Sequence, residues 1–350
     1  MITDEITIAG RRVGSSHPPF IIAELSANHN GSLDRALEHI REAKRRGADA
    51  VKFQTYTPDT MTLKSDREDF RIKGGLWDGL TLYDLYAKAH TPWEWHETLF
   101  AEARRVGIIP FSTPFDDTAV ALLENLDAPV IKVASFEVGD LALLARIART
   151  GRPVILSTGM ASLGEIDEAV TTLRVHGCRD IVLLHCVSAY PSPASAANLR
   201  TIPHMASAFG VPAGLSDHSN GTAVACAAVA FGACVIEKHF ILDRRDGGPD
   251  STFSIEPAEL EQLTVGCRMA WEARGDVNYD RESAEEANLV FRRSIYAVRE
   301  IAAGDVLTAD NIRVIRPGFG LAPKFLPQVL GRRVTRPVAA GEPVLWPLFD

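Results

Sequence analysis

A chain of 350 residues, 46% hydrophobic and 23% charged, can bury a sizeable core, which excludes a disordered polymer, a collagen-like repeat and a disulfide-stapled miniprotein. Its net charge of −8 comes from 45 acidic and 37 basic residues that are interleaved along the chain, a poor match to nucleic acid or an anionic membrane. The five cysteines, Cys178, Cys186, Cys226, Cys234 and Cys267, are odd in number and widely spaced, so neither a disulfide framework nor a thiolate metal site is expected, and the expected compartment is a reducing cytoplasm.

In chain order, the N-terminal MITDEITIAG lacks the basic start and apolar stretch of a secretory signal, and residues 1–18 read as a short extension. Eight apolar runs follow: FIIAEL from Phe20, ADAVKFQ from Ala48, GIIPFST from Gly107, PVIKVAS from Pro129, PVILSTG from Pro153, IVLLHCV from Ile181, VPAGLS from Val211 and ACVIEKHF from Ala233. Helical stretches separate them, the pattern of strands buried on both faces alternating with amphipathic helices. After the first run, Ser32 is placed to cap a helix with Leu33, Leu37, Ile40 and Lys44 on one face and Gly47 as its stop; Gly107, Gly151 and Gly177 end later stretches in the same way. The most apolar window, ending at Ile236, is shorter than the roughly 20 residues a bilayer requires and reads as a buried helix leading into a strand.

Eight strands each followed by a helix predict an α/β fold of the (β/α)₈ TIM-barrel type; the glycine-rich first turn of a dinucleotide-binding open sheet is missing. The longest interruption, Tyr56 to Thr91, contains SDREDFRIKGGLWDG and reads as a βα loop at the catalytic face. A final helix in EPAELEQLTVGCRMAWEA closes a barrel domain at residues 1–275, followed by a polar linker at 276–290 and a small β-rich module at 291–350. Within that module REIAAGDVLTADNI is echoed by RPVAAGEPVLWPLF.

Strand C-termini converge on one mouth of such a barrel, so the polar residues closing the runs form the candidate site. They are Glu24; Lys52 and Gln54; Ser112 and Thr113; Lys132, Ser135 and Glu137; Ser157; Ser188 and Tyr190; Ser216 and His218; and Lys238 and His239. Taken singly, a strand-end lysine can be a rim residue snorkelling to water and a histidine can be a satisfied core group. Together, lysines with hydroxyls suit a phosphate and a carboxylate, while two histidines from adjacent strands suit a divalent metal. The set points to an anionic phosphorylated substrate. His39, His90, His96 and His204 fall on helices or loops away from this face and read as surface or packing residues.

The stretches FIIAELSANHNG, ADAVKFQTY, FSTPFD, IKVASFE, LSTGMA, LHCVSAYP, GLSDH and IEKHF, in this order, resemble the sialic acid synthase family. The module carrying RRSIYAV, IRPGFG and LGRRV is similar to the antifreeze-like (SAF) domain that follows the barrel in that family. The resemblance implies condensation of phosphoenolpyruvate with an N-acetylated amino sugar to a nine-carbon ulosonic acid and phosphate. It implies that Lys52, Thr113, Lys132, Ser135, Ser157 and Ser216 hold phosphoenolpyruvate, and that His218 and His239 bind a divalent metal, Mn²⁺ or else Mg²⁺ or Co²⁺. Glu24 and Glu137 would stabilise charge at C2 or deprotonate the water that adds there, Glu137 being the expected base; Gln54, Tyr190 and Asp250 would contact the sugar. A C₂ homodimer is implied, in which the SAF domain closes the partner's barrel and brings Arg316 to the sugar. The insert DREDFRIKGGLWDG is similar to the pseudaminic branch of the family, whose sugar is a diacetamido trideoxy L-altrose, with the apolar Leu76 and Trp77 suited to its methyl group. Alternative readings are an N-acetylneuraminate or legionaminic acid synthase, a Schiff-base aldolase using Lys132 or Lys238, and a non-enzymatic sugar-binding protein.

Overall fold

The computed structural model describes residues 5–349. It divides into two compact units, Met1–Gly275 and Asp276–Asp350. The first is built on eight parallel strands: β3 (Phe20–Glu24), β4 (Ala50–Thr55), β5 (Ile109–Pro114), β6 (Ile131–Val133), β7 (Val154–Ser157), β8 (Ile181–Cys186), β9 (Ala213–Asp217) and β10 (Val235–His239). They close into a barrel in sequence order, with β10 pairing back onto β3. These are the eight apolar runs, and the fold is the expected TIM barrel. The helix after β3, α1 (Leu33–Arg45), is capped by Ser32, whose hydroxyl accepts from the Arg35 amide, and Gly47 beyond its end has φ of +89°. Its buried face is Ala36, Ile40 and Ala43, with Leu33 and Leu37 alongside, whereas Lys44 turns outward to donate to the Gly107 carbonyl. The alanines let α1 approach the barrel closely.

Period-2 alternation sorts each strand into two cores. Side chains such as Ile21, Ala23, Val51, Phe53, Ile236 and Phe240 point outward and pack with the helices. Phe20, Ile22, Ala50, Phe111, Val130, Ile155, Val182 and Val235 point inward and fill the barrel's lower half. The N-terminal stretch read as an extension is instead a hairpin, β1 (Glu5–Ile8) paired antiparallel with β2 (Arg11–Gly14). Its Ile6, Ile8 and Val13 join the inward-facing core, plugging the N-terminal end of the barrel. Strands of four residues alternating EITI and RRVG were too short to stand out against the long runs that follow. With the lower half closed by hydrocarbon, only the C-terminal mouth is left for polar chemistry.

The second unit has its own apolar core around Ile295, Val329, Val338 and Val344. The segment expected as a plain linker carries a 3₁₀ helix, Ser283–Phe291. Strands β11 (Ser294–Ala297) and β12 (Ile312–Ile315) pair antiparallel, and the two AAG-containing stretches pair with each other. Ile301 and Val338, equivalent positions in the echo, exchange amide–carbonyl bonds of 2.9 Å in both directions. The bridges Tyr296 to Pro343 and Val306 to Arg333 are each other's counterparts across that pair. The weak repeat is therefore a local two-fold arrangement in which each copy supplies the strand its sibling lacks.

Candidate active site

Alternation carries from the hydrocarbon core up to the mouth, so the inward residue after Ile22 is Glu24, after Ala50 are Lys52 and Gln54, after Val130 is Lys132 and after Ile155 is Ser157. Register sets Glu24 beside Lys52 on β4 and beside His239 on β10. Lys52 Nζ lies 2.7 Å from Glu24 Oε2 and 3.4 Å from Glu237 Oε1, and donates to Thr113 Oγ1 at 3.4 Å. Lys132 Nζ donates to Ser157 Oγ at 2.7 Å and lies 3.8 Å from the same Glu237 oxygen, which also accepts from Ser216 Oγ at 3.1 Å. Glu237 thus sits between two lysines that no other group would keep together. Burial draws the Lys52 ammonium down to about 8, against the attraction of Glu237.

Sequence reasoning missed Glu237 and chose its neighbour Lys238. Because His239 faces the mouth, the period of two turns Glu237 inward and Lys238 outward, a signal present in IEKHF itself. Lys238 is buried between barrel and helices, donating to Asp217 Oδ2 at 2.7 Å and to the Ser219 carbonyl at 2.5 Å, while Asp217 Oδ1 accepts from the Ser219 amide. It therefore holds the turn bearing His218 and is withdrawn from the mouth as a Schiff-base nucleophile. Ser112 is likewise outward, hydrogen-bonded to Thr55, which also meets His96 Nε2. His96 and His39 are fully buried packing groups.

Past β6, Ser135–Glu137 form a 3₁₀ turn. Ser135 Oγ accepts from the Gly159 amide at 3.0 Å. A Cβ on Gly159 would come within 2.2 Å of Ser188 Oγ and 2.9 Å of Ser135 Oγ, so Gly159 belongs to the site although only its neighbours were expected there. Lys132, Ser135, Ser157, Ser188 and the Gly159 amide make a compact cradle suited to phosphate. Glu137 stands nearby with Oε2 buried and unpartnered; burial pushes its carboxyl up to about 7, against the pull of Lys132.

His218 and His239 end neighbouring strands with ring centroids 5.5 Å apart. His218 Nδ1 donates to the Val187 carbonyl at 3.0 Å, which leaves Nε2, once deprotonated, as a lone-pair donor. Burial favours the neutral ring, but the Cys186 thiol beside Nδ1 outweighs it and holds His218 above the ordinary histidine range, so a cation at Nε2 would displace a proton. Burial holds His239 neutral, well below that range, and its Nδ1 is buried without a hydrogen-bond partner. Two imidazoles so placed fit a divalent cation; among the described residues no third His, Cys, Asp or Glu joins them in a metal-holding group, so water or substrate would complete the coordination. Asp250 Oδ2 lies 3.8 Å from His239 Nδ1. Tyr190 stacks 4.3 Å from His218, and Gln54 is half-buried at the rim. Arg316 is exposed in the second unit, just after β12, and makes no ion pair among the described residues.

Residues 39–279 match the NeuB family, and 292–350 match the SAF domain. The chain belongs to the NeuB family. A pseudaminic acid synthase of Campylobacter jejuni is 44% identical over 323 residues, covering 92% of this chain and 94% of that protein. An N,N'-diacetyllegionaminic acid synthase of the same species is 37% identical, with coverages of 90% and 96%. Among solved structures, the N-acetylneuraminic acid synthetase of Leptospira borgpetersenii, in complex with citrate, has a TM-score of 0.73 at 33% identity, covering 81% of this chain and 94% of that one. At the barrel mouth of this NeuB-family enzyme the tightest approach is at Gly159. Gly159→Ala should weaken binding of inorganic phosphate at the barrel mouth by about tenfold or more, since the added methyl would meet Ser188 and Ser135; titration calorimetry with inorganic phosphate checks this, and an unchanged affinity would remove Gly159 from the cradle.

Proposed function

We propose that this NeuB-family enzyme condenses phosphoenolpyruvate with a diacetamido trideoxy L-altrose, forming pseudaminic acid and inorganic phosphate. The observation that carries this reading is the meeting, at one barrel mouth, of a two-lysine cradle with a pair of imidazoles. The near full-length likeness to a pseudaminic acid synthase supports this choice of sugar.

In this reading Lys132, Ser135, Ser157 and the Gly159 amide hold the phosphate, while Lys52, Thr113 and Ser216 hold the remainder of phosphoenolpyruvate. Gln54, Tyr190 and Asp250 orient the sugar. A divalent cation on His218 and His239, Mn²⁺ in our proposal, would supply Lewis-acid polarisation of the sugar aldehyde. C3 of phosphoenolpyruvate forms the new bond to the aldehyde carbon, whose oxygen takes up a proton from solvent. The cationic charge left at C2 lies against the carboxylates of Glu24 and Glu237. Glu137 takes a proton from water as the water oxygen bonds to C2. The C2 hydroxyl then gives its proton to the departing phosphate as the bond to the bridging oxygen breaks, leaving the C2 ketone, and phosphate leaves into the Lys132 cradle.

The reading extends to a C₂ homodimer in which Arg316 of one SAF unit reaches the sugar in the partner's barrel; its support is an exposed arginine without an ion pair among the described residues. A cytoplasmic location is proposed on the free cysteines; among the described residues no helix is long and apolar enough to cross a membrane.

Two measurements test this. With Mn²⁺ and phosphoenolpyruvate, the diacetamido trideoxy L-altrose should be consumed with a kcat/KM at least about tenfold above that of N-acetylmannosamine, product mass and phosphate release being read together; equal or reversed values would refute the sugar. The pH profile of kcat/KM for phosphoenolpyruvate should rise as pH passes about 7, where Glu137 becomes an ionised base, and fall beyond about 8, where Lys52 loses its proton. Glu137→Gln should abolish the rising limb and lower kcat by about 10²–10⁴; a retained limb would assign the base elsewhere.

A further inference from the structure

Part of the rim is aromatic. From the histidine pair outward, Tyr190 lies 4.3 Å from His218, and Trp77 lies 6.0 Å beyond Tyr190, centroid to centroid. Phe253 backs this row from within, 5.1 Å from Tyr190 and 4.9 Å from His239, and is almost completely buried. Trp77 reaches the row from the long insert between β4 and β5, whose backbone doubles back through Ile72–Leu80 and Gly79–Ile72 hydrogen bonds. The ring is anchored there by Nε1, which donates to the Pro249 carbonyl at 3.1 Å, next to Asp250. Leu76, the other apolar residue expected to face the sugar, is 46% exposed and has no such anchor.

We propose that Trp77 sets which acceptor is used, by presenting an apolar face to the C6 end of the sugar. The inference rests on the reading of this mouth as a sugar-acceptor site. A six-carbon chain with its aldehyde at the histidines extends past Tyr190 to Trp77, so C1 is read by the imidazoles and C6 by the indole. Trp77 itself offers a C6 hydroxyl nothing, because its one polar hydrogen is committed to Pro249, and Phe253 behind the row has no polar atom. A methyl loses nothing by leaving water for such a surface, whereas a hydroxyl gives up its hydrogen bonds without replacement. Phe253 is a positioning residue in this scheme, holding Tyr190 and His239 in their places from behind.

The test compares two acceptors that differ only at C6, methyl in one and hydroxymethyl in the other, built on whichever sugar stereochemistry the wild-type enzyme turns over. Wild type should favour the methyl sugar by roughly 100-fold in kcat/KM, the scale on which an apolar pocket rejects an added hydroxyl. Trp77→Ala should reduce that ratio to within about threefold of unity, chiefly by raising the KM of the methyl sugar, with the KM for phosphoenolpyruvate unchanged. Trp77→Phe, which keeps an apolar ring but not the Pro249 anchor, should retain most of the ratio at a raised KM. A wild-type ratio near unity, an unaltered ratio in Trp77→Ala, or equal losses for both sugars would overturn the assignment. Activity confined to an N-acetylmannosamine skeleton would refute the proposed substrate separately, and the C6 pair on that skeleton would still decide the role of Trp77.

Discussion

Two lysines and two glutamates, each at least nine-tenths buried, share the mouth of the barrel, and the electrostatics of that group constrains everything around it. Isolated charges at such depth are expensive, and removing one partner from a buried pair typically costs about 3–5 kcal/mol. They persist because Glu237 lies between Lys52 and Lys132, Glu24 pairs with Lys52, and Ser157, Thr113 and Ser216 supply hydroxyls. A hydrophobic filling would stabilise the barrel at least as well. Their retention is intelligible as pre-organisation for the proposed reaction: cationic groups that would meet an anionic substrate are already desolvated and aimed, so little reorganisation would remain on binding.

The remainder of the first unit serves that geometry in layers. Below, the hairpin of β1 and β2 completes an inward-facing hydrocarbon core, which makes the lower barrel rigid and keeps polar groups at one end. Outside, the ion pair of Lys238 with Asp217 braces the turn that carries His218. Above, Asn28 donates to the Phe240 carbonyl and to Ser254, and so ties the first βα loop to the segment following β10. The loops that follow Glu24 and His239, the second of them carrying Asp250, are thereby held to one another.

The fold could be read from the chain because each barrel strand is buried on both faces and shows as an unbroken Val- and Ile-rich run, with glycine stops between. Residues that the structure brings to the barrel mouth were readable where they closed such a run, as with Glu24, Lys52, Lys132, Ser157 and His239. Glu237 and Lys238 show where that reading stopped short: both close IEKHF, and only counting back in steps of two from His239 tells them apart. Gly159 and Phe253 carried no signal of their own, because one acts through a missing side chain and the other through tertiary proximity to rings far away in sequence. The β1–β2 hairpin escaped notice because strands of four residues have too few positions to display a period.

In the proposed reaction the cradle around Lys132 takes up the departing phosphate and the unpartnered carboxylate of Glu137 activates water, so phosphate should depart with its bridging oxygen and water should replace it at C2. Phosphoenolpyruvate labelled with ¹⁸O in the bridging position decides this directly, with the released phosphate and the ulosonic acid analysed by mass spectrometry. The label should appear wholly in inorganic phosphate, and a reaction run in ¹⁸O water should place solvent oxygen at C2 of the product. Label retained in the sugar acid would mean cleavage between phosphorus and oxygen, and would contradict both Glu137 as the water base and the cradle as the seat of the leaving phosphate.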